Sequence, residues 1–485
     1  MKNLPFWLLF FLVPVGGLFS FSLAAGGGEE EAQPAVAARG VWWDVEFRPN
    51  HSTLAPVPRW EELDMWQETM TRETFERLLR EVYGGEGGGW EEFIEIGEER
   101  ALVVREAADM EGKRFELRFA DEDVAVPQRG WRSREELGLT RIFGDERALL
   151  RVWRVSIRVP LPRAPLDGLH VALDPGHLGG SWARLEHRYF RVGEGKPVVE
   201  GDMVLKVARI LRDKLEAEGA RVSMVRDSDE PLTRLRPDDL EAYARVWLAQ
   251  RGVAGPDAEA VSRVARRIFV VNAEIRARAA LINERLRPDV VICLHFNAEP
   301  WGDADGAVFS PHNHLHVLVH GCLLPEEWAN DDERLDTLVR ILQRTHEEEI
   351  PFAAVMADAL AEATGLPPFT YRGPNARSVC ESPFVWARNL LANRVFRAPV
   401  LFLEPHVMNH ELTFERVQAG AYEGLREFEG VKRENIYLEY ARAVAEAVRE
   451  WYVGGGAGAG AEVWADYGSE DENRPAAGVN GSESG

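Results

Sequence analysis

The sequence predicts an α/β protein: a mostly parallel twisted sheet flanked by helices, preceded by a smaller N-terminal α+β module. Three observations predict it. From Leu169 onward, short apolar runs alternate with amphipathic stretches of helical spacing, the pattern of strands joined by crossover helices. Three of those runs, HVAL at 170–173, DVVICLHF at 289–296 and APVLFL at 398–403, are almost continuously apolar, as in strands covered on both faces. A proline-rich stretch at 160–165 separates them from a first unit of different pattern, and 485 residues exceed what one hydrophobic core usually supports.

Taken in order, residues 1–25 read as a signal peptide. Lys2 supplies a weak positive start, Leu4 to Leu23 is strongly apolar, and Ser22-Leu23-Ala24 offers small residues for cleavage. An uncleaved anchor is the alternative, and either way the body of the protein is expected to be exported, periplasmic or in the cell envelope. Residues 26–38 form a Gly, Glu and Ala-rich linker. The N-terminal module, 39–160, begins with a helix over Thr71 to Val82, whose apolar positions are Phe75, Leu78, Leu79 and Val82 and whose cap is Thr71 or Thr74. Gly84 to Gly89 ends it, and Phe93–Ile96, Ala101–Val104 and Phe115–Phe119 read as short strands. Trp131 and Trp153 are expected in this module's core. It holds no His or Cys cluster, so a structural or accessory role is expected of it. At the other end, 454–485 is rich in Gly, Ala, Ser, Glu and Asp and is expected to be disordered.

The net charge is −23, and no long basic run occurs, which argues against a nucleic-acid partner. Three cysteines, Cys293, Cys322 and Cys380, are an odd count and describe no disulfide framework. No Cys-x-x-Cys pair occurs, so a cysteine-based metal site is not expected.

The chemistry concentrates in 167–453. The run from His170 to Leu173 is broken by Asp174-Pro175-Gly176, which leaves His177 on a tight turn at a strand's carboxyl end. In open α/β sheets that end is where ligands bind. After an irregular segment, Glu200-Gly201-Asp202 precedes an amphipathic helix with Val204, Val207, Ala208, Leu211 and Leu215 on its apolar face. Asp202 is the expected N-cap, which puts Glu200 just before the helix. Gly219 ends that helix, and Ala220–Val225 reads as a strand ending at Arg226. Helical stretches at Asp239–Arg251 and Ala258–Leu286 follow, and Pro288 stops the second. His295 then ends the second apolar strand and Glu404 the third. If these ends share one sheet edge, two imidazoles and a carboxylate converge, a set that binds zinc for hydrolysis, with a further carboxylate to move the proton of a bound water. Each residue alone also has a plain structural reading: a turn or core histidine, or a glutamate complementing a helix dipole.

The ordered set resembles the zinc-dependent N-acetylmuramoyl-L-alanine amidases. The matching pieces are ALDPGH at 172–177, Glu200 ahead of its helix, GARVSMVRD at 219–227, Arg278 followed by Asn283, ICLHFNA at 292–298, and APVLFLEPHVMNHE at 398–411. The resemblance implies hydrolysis of the amide between N-acetylmuramoyl and L-alanine in peptidoglycan. It implies Zn2+ held by His177, Glu200 and His295, with Glu404 as the general base. Asn297, Asn409 and Glu411 match pattern positions, and Arg226 and Arg278 are expected to brace the site. Three departures stand out. The segment between His177 and Glu200 is long and contains Glu186, a rival ligand. Residues 300–397 form a large insertion. Pro405-His406 replaces the Gly-Phe pair usual after the catalytic glutamate.

Within the insertion, His312, His314 and His316 alternate in HNHLH, with His320 beyond. Alternate strand residues share a face, so a second metal group is conceivable, but a polar face near the cleft is the preferred reading. Asn375, Arg377 and Arg388 are further polar candidates for substrate contact. Peptidoglycan is the expected partner; the family also suggests an activator protein, and nothing in the chain argues against a monomer. A segment such as Asp331–Arg344 could occlude the site. Two other activities stay open on sequence grounds: an inactive wall-binding or regulatory protein on the same fold, and a zinc peptidase acting within the stem peptide.

Overall fold

The computed structural model describes residues 54–123 and 164–453. The signal peptide, the linker, Trp131, Trp153 and the C-terminal tail lie outside the described residues, among which no helix is long and apolar enough to cross a membrane.

The N-terminal unit carries the expected helix, Arg72–Leu78, extended by a wider turn over Leu79–Tyr83. The Thr71 side chain caps it by accepting from the Thr74 amide. A three-stranded antiparallel sheet follows: β1 (Ile94–Ile96), β2 (Arg100–Val104) and β3 (Arg114–Arg118). Its apolar residues belong to the same continuous core as those of the larger unit. Hydrogen bonds cross between the two, from Cys322 N to Val82 O at 2.8 Å and from Arg334 Nε to Val104 O at 3.0 Å.

The larger unit is built on β4 (His170–Pro175), the short pair β5 (Tyr189–Phe190) and β6 (Val198–Val199), β7 (Arg221–Met224), β8 (Val290–Leu294), β9 (Leu315–Val319), β10 (Arg377–Ser378), β11 (Val385–Ala387), β12 (Val400–Pro405) and the hairpin β13 (Arg426–Phe428) and β14 (Val431–Arg433). Seven of them form one sheet in the order β10-β11-β9-β12-β8-β4-β7. β7, β4, β8 and β12 run parallel, β9 pairs antiparallel with β12, and β11 runs parallel to β9. The segment read as an insertion therefore supplies β9, β10 and β11 to the central sheet.

One face is covered by the helices Glu200–Ala217, His346–Thr364 and Ile436–Val453, which share an apolar core with β4, β8, β9 and β12. The helix Glu200–Ala217 buries the five apolar residues expected of it. The opposite face packs Ala279, Ile282, Ala392, Val395 and Phe396 against Ala172, Cys293 and Val400. The run Ala258–Leu286 is interrupted by two wider turns, Phe269–Ala273 and Leu281–Leu286, and between them Glu274, Arg276 and Arg278 are buried. The helix Asp331–Gln343 lies at the far end of the sheet from the carboxyl edge of β12. Its Arg340 donates to Phe396 O at 2.6 Å and Ala398 O at 2.8 Å, just ahead of that strand. It therefore does not occlude the edge where His177, His295 and Glu404 stand.

Two local expectations are corrected. Asp202 is not the N-cap: the helix begins at Glu200, its N-cap is Val199, and Asp202 Oδ1 instead accepts from the Gly180 amide at 2.9 Å. Glu404 does not follow its strand but lies within β12, because the pairing with β9 continues through Pro405. All three cysteines are free and buried.

Candidate metal and catalytic site

The parallel register of β4, β8 and β12 brings three strand ends to one edge: Pro175 is level with Leu294, and Leu294 with Leu403. His177, His295 and Glu404 follow at or just past those positions. The turn after β4 is held rigidly. Arg278 donates to Asp174 Oδ1 at 3.0 Å, to Pro175 O at 3.1 Å and to Gly176 O, and its Nε meets Glu274 Oε1 at 3.0 Å. Arg226 donates to Pro175 O at 3.2 Å and His177 O at 2.5 Å. Both arginines thus brace the turn that carries His177.

Two glycines permit the close approach of the remaining parts. A Cβ on Gly176 would lie 2.1 Å from the His295 ring, and one on Gly201 would lie 2.2 Å from the carbonyl of Leu178. The helix start is thereby pressed against the turn, and Glu200, 1% exposed, is delivered between the histidines. Its Oε1 lies 3.3 Å from His295 Nδ1, 3.6 Å from His177 Nε2 and 3.2 Å from the Phe296 amide. His177, Glu200 and His295 each offer a donor atom within 4.8 Å of the others, and among the described residues they are the one such group. Two imidazoles and a carboxylate in this arrangement are a donor set suited to zinc.

Glu186, the rival ligand, stands on the other side of His177. Its Oε2 accepts from the Leu178 amide at 2.7 Å and lies 3.4 Å from His177 Nδ1. On the inner side, Arg188 Nε donates to His177 Nε2 at 3.0 Å and lies 3.2 Å from Glu200 Oε2. An arginine cannot accept, so His177 carries its lone pair on Nε2 and its proton on Nδ1, towards Glu186. A carboxylate behind a histidine's outer nitrogen is the arrangement that orients ligand imidazoles. Arg188 was missed by the sequence reading, since a lone arginine in a polar segment carries no signal of its own.

Burial drives the His177 imidazole well below its ordinary pKa, which keeps it neutral. Burial pushes Glu186 up to about 7. Burial also works to raise Glu200, but its interactions with the neighbouring His177, His295 and Arg188 hold it below the usual carboxylate range. Glu404 is pushed up to about 7, by burial first and by the charge of Glu200, against the pull of His295. A carboxylate poised near neutrality beside a donor cluster suits a general base.

The other polar candidates separate. Asn297 braces the loop beyond β8: its Oδ1 accepts from the Ala298 amide at 2.7 Å and its carbonyl from Met408 N at 2.8 Å. Asn409 Oδ1 accepts from Glu299 N at 3.0 Å, and Glu411 is the first residue of the helix Glu411–Ala419. His406 takes a left-handed backbone (φ 61°) and is buried against Glu439, Nε2 to Oε1 3.6 Å. His312 is exposed and bonds Glu299, while His314 and His316 are buried with ring centroids 5.9 Å apart. His320 bonds Thr337, away from that pair. Arg377 binds Arg80 O and Gly84 O and so ties the N-terminal unit to β10.

Fold and site together define an α/β protein with a His–Glu–His group and an adjacent glutamate at the carboxyl edge of its parallel strands. The family described as N-acetylmuramoyl-L-alanine amidase matches residues 171–424, more than half of the chain, and the protein belongs to that family. A curated relative, the germination-specific N-acetylmuramoyl-L-alanine amidase of Bacillus subtilis, is 31% identical over 143 residues, 30% of this chain and 45% of its own length. The chain thus matches less than half the length of that relative. Among solved structures, the amidase Ami1 of Mycobacterium smegmatis is 19% identical, with 59% of this chain and 97% of that chain covered and a TM-score of 0.33. The catalytic domain of the amidase CwlV of Bacillus (Paenibacillus) polymyxa var. colistinus is 15% identical, with 58% and 97% covered and a TM-score of 0.32.

Proposed function

We propose that this protein is an exported zinc amidase that hydrolyses the bond between the N-acetylmuramoyl group and L-alanine in peptidoglycan. The observation that carries the reading is the convergence of His177, Glu200 and His295 at one sheet edge, with Glu404 on the next strand. Membership of the amidase family supplies the reaction class. Export is part of the proposal: residues 1–25 read as a signal peptide, and the proposed substrate lies outside the cytoplasm.

His177, Glu200 and His295 would hold the zinc. When bound, the metal supplies Lewis acidity to the scissile carbonyl and makes water a nucleophile near neutral pH. Glu186 fixes the ring of His177 through Nδ1. Arg278 and Arg226 fix the turn that carries His177. Glu404 takes a proton from the attacking water and delivers it to the departing amine of L-alanine. Its high pKa serves both halves of that transfer, since it gains and gives up the proton near neutrality.

The test uses the full-length protein on purified sacculi, with released fragments read by mass spectrometry. An amidase frees intact stem peptides with an L-alanine amino end. Cleavage between amino acids of the stem would instead assign a peptidase, and no release at all an inactive wall protein. A Glu404→Gln protein is expected to keep one zinc per chain and lose hydrolysis. Full activity in that variant would remove Glu404 from the mechanism.

A further inference from the structure

The register of the central sheet extends the reacting row by one residue. His295 follows β8 at the level where Glu404 stands in β12, since Leu403 pairs with Leu294. On the other side of β12, Glu404 is paired directly with His316 of β9. Paired positions on neighbouring strands place their side chains on the same face. His295, Glu404 and His316 therefore form one row across three strands.

His316 is 4% exposed, and its ring is packed by Phe369 and His314. Its Nε2 lies 3.2 Å from the Tyr371 hydroxyl. The Arg388 guanidinium lies over the Tyr371 ring, 5.7 Å from its centroid. A tyrosine O–H can donate to an imidazole nitrogen; with the Tyr371 hydroxyl as donor, His316 accepts at Nε2 and carries its proton on Nδ1. His316 Nδ1 and Glu404 Oε2 are both buried, and neither has a hydrogen-bond partner within the protein. A donor and an acceptor, each unmatched, thus belong to paired side chains on one face, where an unmade bond costs about 1–3 kcal/mol.

We infer that His316 is a positioning residue for Glu404, the last link of a donor chain Tyr371–His316 that orients the carboxylate of the base. Like the base assignment, it rests on the proposed amidase reaction. In this chain the Tyr371 hydroxyl sets the tautomer, which leaves Nδ1–H for the carboxylate paired with it across the strands. Its parts come from the segment 300–397, so that segment contributes to the reaction centre as well as to the sheet. Hydrogen-bond chains of this kind strengthen each link by polarisation.

The experiment compares His316→Ala, His316→Asn and His316→Gln with the parent enzyme, zinc-loaded, on a soluble muramoyl-peptide. The amide nitrogen of asparagine stands where Nδ1 does, and that of glutamine where Nε2 does. The inference expects His316→Ala to lower kcat at least tenfold with KM within about threefold. His316→Asn should recover most of that loss, and His316→Gln should not. Tyr371→Phe should lower kcat several-fold, because the tautomer is no longer set. Zinc stoichiometry and the thermal midpoint of each variant separate these effects from misfolding. Parental kcat in His316→Ala, or equal rescue by glutamine and asparagine, would overturn the inference. Glu404→Gln is measured alongside. If it is inactive while His316→Ala is fully active, the base assignment stands and only the positioning role falls; if Glu404→Gln is active, the base assignment itself fails and takes the positioning role with it.

Discussion

Arg188 Nε donates to His177 Nε2 at 3.0 Å and lies 3.2 Å from Glu200 Oε2, so one guanidinium occupies the lone pair of one candidate metal ligand and forms an ion pair with a second. A buried carboxylate needs a countercharge, and Arg188 provides one. A metal ion needs the same lone pairs and would displace it. Replacing Arg188 by Gln should therefore tighten zinc binding while weakening the metal-free fold. A hydrogen bond to a charged group contributes about 1.5–3 kcal/mol, which corresponds to a gain of roughly 10- to 100-fold in affinity. Competition against a chromophoric chelator measures the affinity, and melting of the metal-free protein measures the loss. Unchanged affinity would show that Arg188 does not compete.

Glu186 and Glu200 stand at opposite nitrogens of His177, and their variants should differ in kind. Glu200→Gln is expected to abolish stoichiometric zinc binding. Glu186→Gln should retain one zinc at saturation with affinity lowered about 10- to 100-fold, the usual cost of removing an orienting partner. Elemental analysis with a zinc titration checks both. The reverse pattern would make Glu186 the ligand.

Gly176 has no room for a methyl group, since its Cβ would lie 2.1 Å from the His295 ring. Overpacking of this kind costs about 1–3 kcal/mol, so Gly176→Ala should fold with a lower urea midpoint. The clash falls on His295, and zinc should be lost out of proportion to stability. Normal zinc content in a folded Gly176→Ala protein would contradict the assignment of His295.

Glu404 must be ionised to act as a base, and burial holds its pKa at about 7. As pH falls through that value the carboxylate takes a proton and the rate falls with it. A bound divalent cation favours the ionised form and can only move the value down. The profile of kcat/KM against pH should therefore lose activity on the acid side with an apparent pKa at or below about 7. A limb centred above 8 would assign it to another group.

Much of this was legible from residue order. The strands around Val171, Val291 and Leu401 were visible because both of their faces are covered, which leaves uninterrupted apolar runs. The helix Glu200–Ala217 was visible from its spacing, and His177 and His295 from their place where such runs stop. The start of that helix was misplaced by three positions, with Val199 and not Asp202 as its N-cap. Asp202 looks like a cap in sequence, but its carboxylate is engaged by Gly180, brought near only in the fold. The strand β9 was obscured because His316 interrupts its apolar run; that buried ring is met by the Tyr371 hydroxyl, which only the fold brings near.

The sequence by itself determined the α/β class, the order of the chemistry-bearing residues and the family, because apolar periodicity and turn residues are local properties of the chain. The tertiary structure decided which carboxylate stands with the two histidines, that Arg188 lies among them, and that His316 is paired with Glu404. Those relations join residues 11 to 95 positions apart, through sheet register and helix packing. Only the folded chain brings such groups within a few ångströms, where hydrogen bonds and charge act.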